Sequence, residues 1–244
     1  MCRFAVAILG CLLLAASARA GEVRHGFVDK VHKSAKGDSK YVVFVPHSYT
    51  GEKEFPIILF LHGAGERGDD GQAQVLQGIG NAIKFKGKDK KFPFFVVFPQ
   101  AVKGGNWKAG GPDAERALAI LAEVQKAYKI DPARVYLTGL SMGGSGTWSL
   151  AAAYPERWAA IVPICGGGDP GAIEKIKHIP CWCFVGDKDN SKLVENNRAM
   201  VKGLGAAGAQ VRYTEFPFIG HNSWDPAYVM DELYAWLVAH TLKR

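Results

Sequence analysis

Short apolar runs alternate with longer amphipathic segments along most of the chain. Several of the short runs are almost continuously apolar, as in PIILFLHG at 56–63 and FPFFVVFPQ at 92–100. Such continuity is typical of strands that are covered on both faces of a parallel sheet. The longer segments carry apolar residues at helical spacing, as in DAERALAILAEVQKAY at 113–128, whose first turn is acidic.

This alternation predicts an α/β fold with a mostly parallel central sheet and helices on both faces. Two earlier runs, GFVDKVHK and YVVFVP, are predicted to form an antiparallel pair before the alternation begins. The predicted strands that follow are PIILFLHG, FPFFVVFPQ, RVYLTGLS, WAAIVPICGG, CWCFVGD and VRYTEFPF. The predicted helices are QAQVLQGIGNAIKF, DAERALAILAEVQKAY, GGSGTWSLAAAY, GAIEKIK, LVENNRAMVKGLGAAG and DPAYVMDELYAWLVAHTL. No linker, repeat or long insertion interrupts the pattern, so residues 21–244 are predicted to form one domain without a large cap.

The first twenty residues have the features of an export signal and are not predicted to belong to the folded domain. Arg3 provides a positive start, residues 4–16 are apolar, and Ala-Arg-Ala at 18–20 is a small-x-small cleavage site. This pattern predicts a signal peptide over residues 1–20 and a secreted or periplasmic protein. The alternatives are an uncleaved anchor helix and a lipoprotein attached through Cys11. No later segment has the length and apolarity of a membrane span, so stable membrane insertion is not expected.

Composition and net charge indicate which kinds of binding partner are expected. Hydrophobic residues make up 48% of the chain, which allows a sizeable core. The formal net charge is +7, and loss of Arg3 and Arg19 with a signal peptide would leave +5. The basic run KFKGKDKKF at 84–92 is interpreted as a solvated helix end and loop rather than as a patch for an anionic polymer. The sequence contains no nucleic-acid motif, so a nucleic-acid partner is not predicted, and the oligomeric state is left open.

Three cysteines remain after the predicted cleavage site: Cys165, Cys181 and Cys183. Their odd number excludes a fully paired framework within one chain. Cys181 and Cys183 are two residues apart in a predicted strand, so their side chains should face the same side of the sheet. All three are interpreted as small buried residues, with one disulfide from Cys165 as the alternative.

Chemistry is expected at the carboxyl edge of the predicted sheet, because ligands of open α/β sheets bind beyond the carboxyl ends of the strands. The segments that follow the predicted strands are rich in glycine and in polar or titratable residues. They are HGAGERGDD at 62–70, PQAVKGGNW at 99–107, GLSMGG at 139–144, CGGGD at 165–169, GDKDN at 186–190 and FIGHNSW at 218–224. The functional site is therefore predicted to lie among these segments.

One of them places a serine between glycines. The run Gly139-Leu140-Ser141-Met142-Gly143 falls where a predicted strand ends and a predicted helix begins. A serine on so sharp a turn needs nearly side-chain-free neighbours two positions away on each side, and Gly139 and Gly143 meet that need. This context predicts that Ser141 is a nucleophile at the N-terminus of a helix. The alternative is a glycine-rich turn that only lets a helix pack closely on a strand.

A base and an acid should accompany this serine, because its hydroxyl is a poor nucleophile until a base takes the proton. His221 follows the last predicted strand and is the predicted base. The acid that orients the imidazole should follow the preceding strand, where both Asp187 and Asp189 are candidates and Asp169 is a weaker third. Asp189 is favoured because it lies further into the loop, whereas Asp187 is expected to bond to the loop backbone.

Two backbone N–H groups are predicted to stabilise the negative charge that builds on the carbonyl oxygen under attack. One is that of Met142, directly after the nucleophile, and the other is that of Ala64. His62 has no partner at metal-ligand spacing, so it is interpreted as a packed loop histidine and no metal is predicted. Glu66 and Arg67 are predicted to form an ion pair that orders the same loop, with contact to substrate as the alternative.

Five stretches of the chain resemble the α/β-hydrolase superfamily, and within it the small carboxylesterases of the phospholipase/carboxylesterase, polyhydroxybutyrate-depolymerase-like and dienelactone-hydrolase-like groups. They are LFLHGAGERGDD, FPQ, YLTGLSMGGSGTWSLAAAYPERWAAIVPICGGGD, VGDKDN and GHNSWD. The resemblance covers nearly the whole mature chain and implies a serine hydrolase that needs no cofactor. It implies Ser141, Asp189 and His221 as the triad and Ala64 and Met142 as the oxyanion hole. One departure is that Asn190-Ser191-Lys192 follows the acid, where these families often have Val-Pro.

The substrate is predicted only as a class. A site without a cap would accept bulky esters, and Trp107 and Trp224 are expected to form pocket walls that could stack on a sugar or phenolic ring. The alternative is that both indoles are tucked against the surface. Export suggests extracellular esters, such as acyl or feruloyl groups on polysaccharide. Two other functions stay open, a serine peptidase of the same fold and a non-catalytic binding protein on this scaffold.

Overall fold

The computed structural model describes residues 23–85 and 89–242, so the predicted signal peptide at 1–20 lies outside the described residues. Most of the described chain forms one sheet with helices packed against it. The strands are β1 (Gly26–His32), β2 (Ser39–Val45), β3 (Phe55–Leu61), β4 (Phe95–Pro99), β5 (Ile130–Leu140), β6 (Ala160–Ile164), β7 (Cys181–Gly186) and β8 (Val211–Phe216). They lie in the order β1-β2-β4-β3-β5-β6-β7-β8.

Strand direction follows the sequence pattern. β1 pairs antiparallel with β2 from Gly26 opposite Val45 to His32 opposite Ser39, which confirms the predicted antiparallel pair. β2 also pairs antiparallel with β4. Every pairing within the remaining row β4-β3-β5-β6-β7-β8 is parallel. The predicted mostly parallel α/β sheet is therefore confirmed.

Helices cover both faces of the sheet, as predicted. They are α1 (Gly78–Phe85), α2 (Pro112–Ala127), α3 (Met142–Ala153), α4 (Ile173–Ile176), α5 (Ser191–Ala206), α6 (Trp224–Val229) and α7 (Asp231–Val238). Helices α2 to α5 contribute to one core layer, for example through Leu118 and Met200. Helices α1, α6 and α7 contribute to the other, for example through Ile83 and Leu237. Each layer buries one face of the central strands, which explains why those strands are almost continuously apolar.

Two predicted helices are divided in the structure. The helix predicted over QAQVLQGIGNAIKF begins only at Gly78, after a separate 3-10 turn at Ala73–Val75, because Gly78 has φ +59° and breaks the helical path. The terminal helix predicted over DPAYVMDELYAWLVAHTL is two helices, α6 and α7. Met230 between them is extended, and the acidic pair Asp231 and Glu232 occupies the first turn of α7, where negative charge is favourable.

The cysteines are divided between the two core layers. Cys181 and Cys183 belong to the layer under α2 to α5, so they face the same side of β7 as predicted, whereas Cys165 belongs to the opposite layer. All three are free and buried. Within the described residues, no helix has both the length and the apolar character needed to cross a bilayer.

Candidate active site

The strand-to-helix turn predicted around Ser141 is present between the end of β5 and the start of α3. Ser141 has φ 53° and ψ −114°, which is a strained conformation for a residue with a side chain. A Cβ at Gly143 would lie 1.8 Å from the carbonyl oxygen of Leu61, and a Cβ at Gly139 would lie 2.4 Å from that of Gly143. The flanking glycines are therefore required by close approach of backbone to backbone, and the turn presents the serine at the carboxyl edge of the sheet.

His221 joins this serine to an acid. Its Nε2 lies 2.8 Å from Ser141 Oγ, and its Nδ1 lies 2.8 Å from Asp189 Oδ2. A carboxylate only accepts hydrogen bonds, so Nδ1–H donates to Asp189 and Nε2 is left to accept from the Ser141 hydroxyl. The side chain of Asp189 is 5% exposed and that of His221 is 46% exposed. The three side chains thus form one continuous hydrogen-bonded row from a hydroxyl through an imidazole to a buried carboxylate, the order predicted from the sequence.

The three candidate acids have different partners. Asp189 uses its second oxygen, Oδ1, to accept a 2.7 Å hydrogen bond from the backbone N–H of Asn190. Asp187 lies 3.5 Å from the Lys188 ammonium, and Asp169 caps a short helical turn by accepting from Gly171 N–H. Among the described acids considered from the sequence, Asp189 is thus the one in contact with the imidazole.

The loops that carry the acid and the base are bonded to each other. Lys188 N–H donates to the carbonyl oxygen of Ile219 at 2.9 Å. At Gly186 a Cβ would lie 2.2 Å from the carbonyl oxygens of both Ile219 and Gly220. These contacts connect the loop after β7 to the loop after β8, so Asp189 and His221 are positioned as one unit.

The loop after β3 packs against the nucleophile turn. A Cβ at Gly63 would lie 2.7 Å from Leu140 Cδ1 and 3.7 Å from Ser141 Cβ. Ala64 follows Gly63 and begins a 3-10 turn, and Met142 is the first residue of α3, where a backbone N–H has no partner within its own helix. The two residues predicted to line an oxyanion hole are therefore on adjoining segments beside the serine.

The expectation that Trp107 forms a pocket wall is wrong. Trp107 is 1% exposed, its indole Nε1–H donates to the carbonyl oxygen of His62 at 2.9 Å, and it packs where Gly146 of α3 leaves room for it. Because its polar atom is satisfied inside the protein, the ring lies in the core beneath the loop. His62 is buried as well, with Nδ1 2.6 Å from the carbonyl oxygen of Gly63 and Nε2 accepting from Ala101 N–H at 2.9 Å.

Trp224, the second indole considered for substrate contact, lies beside the base. Its ring is nearly perpendicular to the His221 imidazole, with centroids 5.6 Å apart, and its side chain is half-buried. The indole Nε1 is buried and has no hydrogen-bond partner among the described residues. Contact of Trp224 with substrate stays a prediction.

The loop after β3 is also held by contacts that the sequence did not indicate. The predicted ion pair between Glu66 and Arg67 is not found among the described residues. Instead Arg67 Nε donates to the carbonyl oxygen of Gly105 at 2.7 Å, and Nη2 lies 2.9 Å from Met142 Sδ. Burial raises the pKa of the Glu66 carboxyl. Arg67 therefore links the loop after β3 to α3 and to the loop after β4.

The Cys165 side chain lies close to His221 and Asp189. Its sulfur and one ligand atom each of Asp189 and His221 lie within 4.8 Å of one another, and its backbone has φ +42°. Burial raises the pKa of the Cys165 thiol to about 12, which keeps it protonated. His221 and Asp189 are already hydrogen-bonded to each other, so the group is better suited to acid–base chemistry than to metal binding. The sequence offered one indication that Cys165 lies near the site. This residue begins the CGGGD segment, which directly follows a predicted strand.

Comparison with known proteins points to esterases. No protein-family model matches the chain. It is 36% identical over 125 residues to a poly(3-hydroxyalkanoate) depolymerase C of Paucimonas lemoignei, a match that covers 46% of this chain and 28% of that protein. It is 28% identical over 131 residues to a probable feruloyl esterase C of Aspergillus terreus, covering 52% of this chain and 46% of the relative.

Among solved structures, a thermostable esterase matches with a TM-score of 0.78 and 34% identity, covering 88% of this chain and 63% of that one. The chain thus spans less than two thirds of the length of each of these proteins. The sheet order, the strained serine turn between β5 and α3, and this match over most of the described fold agree with one another. The chain has the α/β-hydrolase fold.

Proposed function

We propose that the chain is a serine carboxylesterase. The observation that carries the proposal is the continuous hydrogen-bond chain from Ser141 through His221 to Asp189, with both heavy-atom distances at 2.8 Å. Its position at an open edge of the sheet and the esterase names of the relatives support the same activity.

The first half of the reaction forms an acyl-enzyme. Ser141 Oγ attacks the ester carbonyl carbon while His221 Nε2 accepts the hydroxyl proton, and Asp189 stabilises the resulting imidazolium. The N–H groups of Ala64 and Met142 stabilise the oxyanion. The C–O bond to the alcohol then breaks, and the alcohol leaves with the proton from His221.

The second half releases the acid. Water takes the place of the alcohol, and His221 removes its proton as it attacks the acyl carbon bound to Ser141. The tetrahedral intermediate collapses, the serine oxygen regains its proton from His221, and the carboxylic acid departs. Every proton in this sequence moves between Ser141, substrate, water and the imidazole, and no cofactor takes part.

The proposed substrates are esters outside the cytoplasm. The relatives are named for a polyester and for feruloyl esters, and the exposed imidazole of His221 is consistent with a site open to bulky acyl or feruloyl esters of polysaccharide. Cleavage of a signal peptide after residue 20 would leave one catalytic domain over residues 21–244. N-terminal sequencing of the exported protein tests that part of the proposal.

Fluorophosphonate labelling and ester hydrolysis test the activity. Wild type should be labelled, and Ser141→Ala should not be labelled and should lose about 10⁶-fold in kcat. A panel of 4-nitrophenyl esters beside an anilide separates an esterase from a peptidase of the same fold. No labelling of the folded wild type would favour a non-catalytic binding protein.

The acid is tested by a matched pair of variants two residues apart. Asp189→Asn should lower kcat by about 10⁴-fold, because the amide no longer stabilises the imidazolium or holds its correct tautomer. Asp187→Asn should leave kcat within about threefold, because Asp187 lies against Lys188 rather than the imidazole. Equal losses in the two variants, both of them folded, would contradict the assignment of Asp189.

A further inference from the structure

Phe218 combines two unfavourable features. It has φ +61°, and a bulky residue in that region is an outlier that costs free energy. It is also 85% exposed, whereas the next most exposed large apolar residue of the described chain, Val31, is 48% exposed. Single exposed apolar side chains are ordinary, but a phenyl ring that is both strained and almost fully solvated has no stabilising role in the fold.

The backbone around Phe218 is fixed on both sides. Asp187 N–H donates to the carbonyl oxygen of Phe216 at 3.0 Å, and Lys188 N–H donates to that of Ile219 at 2.9 Å. The ring is therefore held outward by a segment that is bonded to the loop of the acid. A fixed aromatic loses little conformational entropy when it meets a ligand, which favours a binding role.

Phe218 also lies close to the base. It is three residues before His221, so their Cα atoms are at most about 11 Å apart. Trp224 lies beside the same imidazole, with ring centroids 5.6 Å apart. Both aromatic residues therefore belong to the segment around His221, the residue that must give the leaving group its proton.

Polar side chains are also present on the segments next to Phe218. Lys188 has a 63% exposed side chain, and the exposed Asn222 donates from Nδ2 to Asp225 at 3.0 Å. An aromatic face bordered by hydrogen-bonding groups suits a sugar ring, which has an apolar C–H face and hydroxyl groups at its edge. A polyester surface would be better matched by a broad apolar patch, whereas the exposed apolar residues of this segment are Pro217 and Phe218 alone, with Ile219 half-buried beside them.

We propose that Phe218 is a binding platform for a sugar ring of the polysaccharide that carries the ester. The proposal rests on the proposed esterase function and adds the class of polymer and the residue that selects it. Phe218 acts on the polymer part of the substrate, beyond the scissile ester, and takes no part in the bond changes at Ser141.

Paired measurements on small and polymeric substrates test this role. The variants are Phe218→Ala, Phe218→Trp, Phe218→Gly and the control Val238→Ala. Val238 is also exposed but lies on α7, whose following residues bond to the start of β5 at the edge opposite the site. The quantity compared is kcat/KM for soluble acetylated xylan divided by kcat/KM for 4-nitrophenyl acetate.

The ratio should fall about three- to tenfold in Phe218→Ala, the range expected for loss of one aromatic contact. It should be retained in Phe218→Trp and in Val238→Ala. Phe218→Gly should also lose the ratio, yet its melting temperature should equal or exceed that of wild type, because glycine adopts φ +61° without strain. A residue with only a structural role would instead lower the melting temperature and leave the ratio unchanged, which would overturn the proposal.

Binding without turnover separates this proposal from the esterase function itself. In native gels containing acetylated xylan, Ser141→Ala should migrate more slowly than Ser141→Ala/Phe218→Ala. Equal migration would overturn the platform even if ester hydrolysis is observed. Retention on poly(3-hydroxybutyrate) particles that depends on Phe218, without retention by xylan, would also overturn it, because it would assign the ring to a polyester. Failure of wild type to hydrolyse any ester would instead count against the esterase.

Discussion

At the scale of single residues, His62 in the loop after β3 makes the stability of the fold depend on pH. The imidazole is fully buried, with Nδ1 at the Gly63 carbonyl oxygen and Nε2 accepting from Ala101 N–H. The neutral tautomer with hydrogen on Nδ1 satisfies both contacts, whereas a proton on Nε2 would face another N–H. Burial lowers the pKa of His62 to about 4. The loop that carries Ala64 is therefore built around an uncharged histidine.

This shift predicts how the free energy of unfolding depends on pH. An unfolded histidine titrates near pH 6.5, so between about pH 6.5 and 4 the unfolded chain binds a proton that the folded protein does not. The contribution of His62 is fully present above pH 6.5 and is lost as pH falls towards 4, by about 3 kcal/mol in total. Urea denaturation at intervals from pH 7 to 4 measures the slope.

His62→Gln is the control for this prediction. The glutamine oxygen can accept from Ala101 N–H and its amide can donate to the Gly63 carbonyl, but the side chain does not titrate. The other titrating groups are common to both proteins, so the variant should lose less stability than wild type over the same pH interval. Parallel curves for the two proteins would mean that His62 is not the group responsible.

The sequence defines the positions of some candidate site residues more closely than those of others, for a physical reason. Ser141 and His221 occupy positions that a strand-to-helix turn and a late loop define locally. The partner of the imidazole is decided by how two loops meet, and the bond between Lys188 and Ile219 is long-range. Trp107 was misassigned because its partner, the His62 carbonyl, is 45 residues away in the sequence.

At the scale of elements, the carboxyl ends of β3 and β5 and the start of α3 meet without intervening side chains. The backbone of Gly143 lies so close to the end of β3 that an added Cβ would overlap the Leu61 carbonyl group. The turn thus combines a strained serine with glycines that cannot be replaced without moving a central strand. Ser141, the proposed nucleophile, gains a fixed position at a cost in free energy that the surrounding core must offset.

Two glycine-to-alanine variants test this account. Gly143→Ala should destabilise the fold by at least about 3 kcal/mol, because the new methyl group meets buried backbone rather than a flexible side chain. Gly205→Ala, within α5, meets only Val211 Cγ1 at 3.8 Å and should stabilise by about 0.5–1 kcal/mol through helix propensity. Urea denaturation followed by circular dichroism measures both. Wild-type stability in Gly143→Ala would contradict the close approach.

Element type was predictable where periodicity was strong, and element boundaries were not. β3 and α2 follow directly from a continuous apolar run and from helical spacing. The division at Gly78 depends on a positive φ that composition does not specify, since glycine also occurs inside helices such as α5. The division at Met230 is equally local, because the apolar pattern continues from α6 into α7.

At the scale of the whole molecule, the sheet separates the core into two layers that share every central strand. Cys181 and Cys183 mark the layer under α2 to α5, and Cys165 marks the layer under α1, α6 and α7. All three thiols are at most 1% exposed. Burial raises the pKa of each, so in the folded protein the thiolate is scarce as well as inaccessible.

The cysteines therefore report whether the two layers unfold together. Because adjacent positions of each central strand point into opposite layers, opening one layer removes half of the packing that supports the other. We expect pulse alkylation across a urea series, read by mass spectrometry, to give the same midpoint for Cys165, Cys181 and Cys183, and this midpoint should match the one from circular dichroism. Little labelling is expected without urea. Alkylation of Cys165 at a clearly lower urea concentration than the other two would instead mean that the layer behind the candidate active site opens separately.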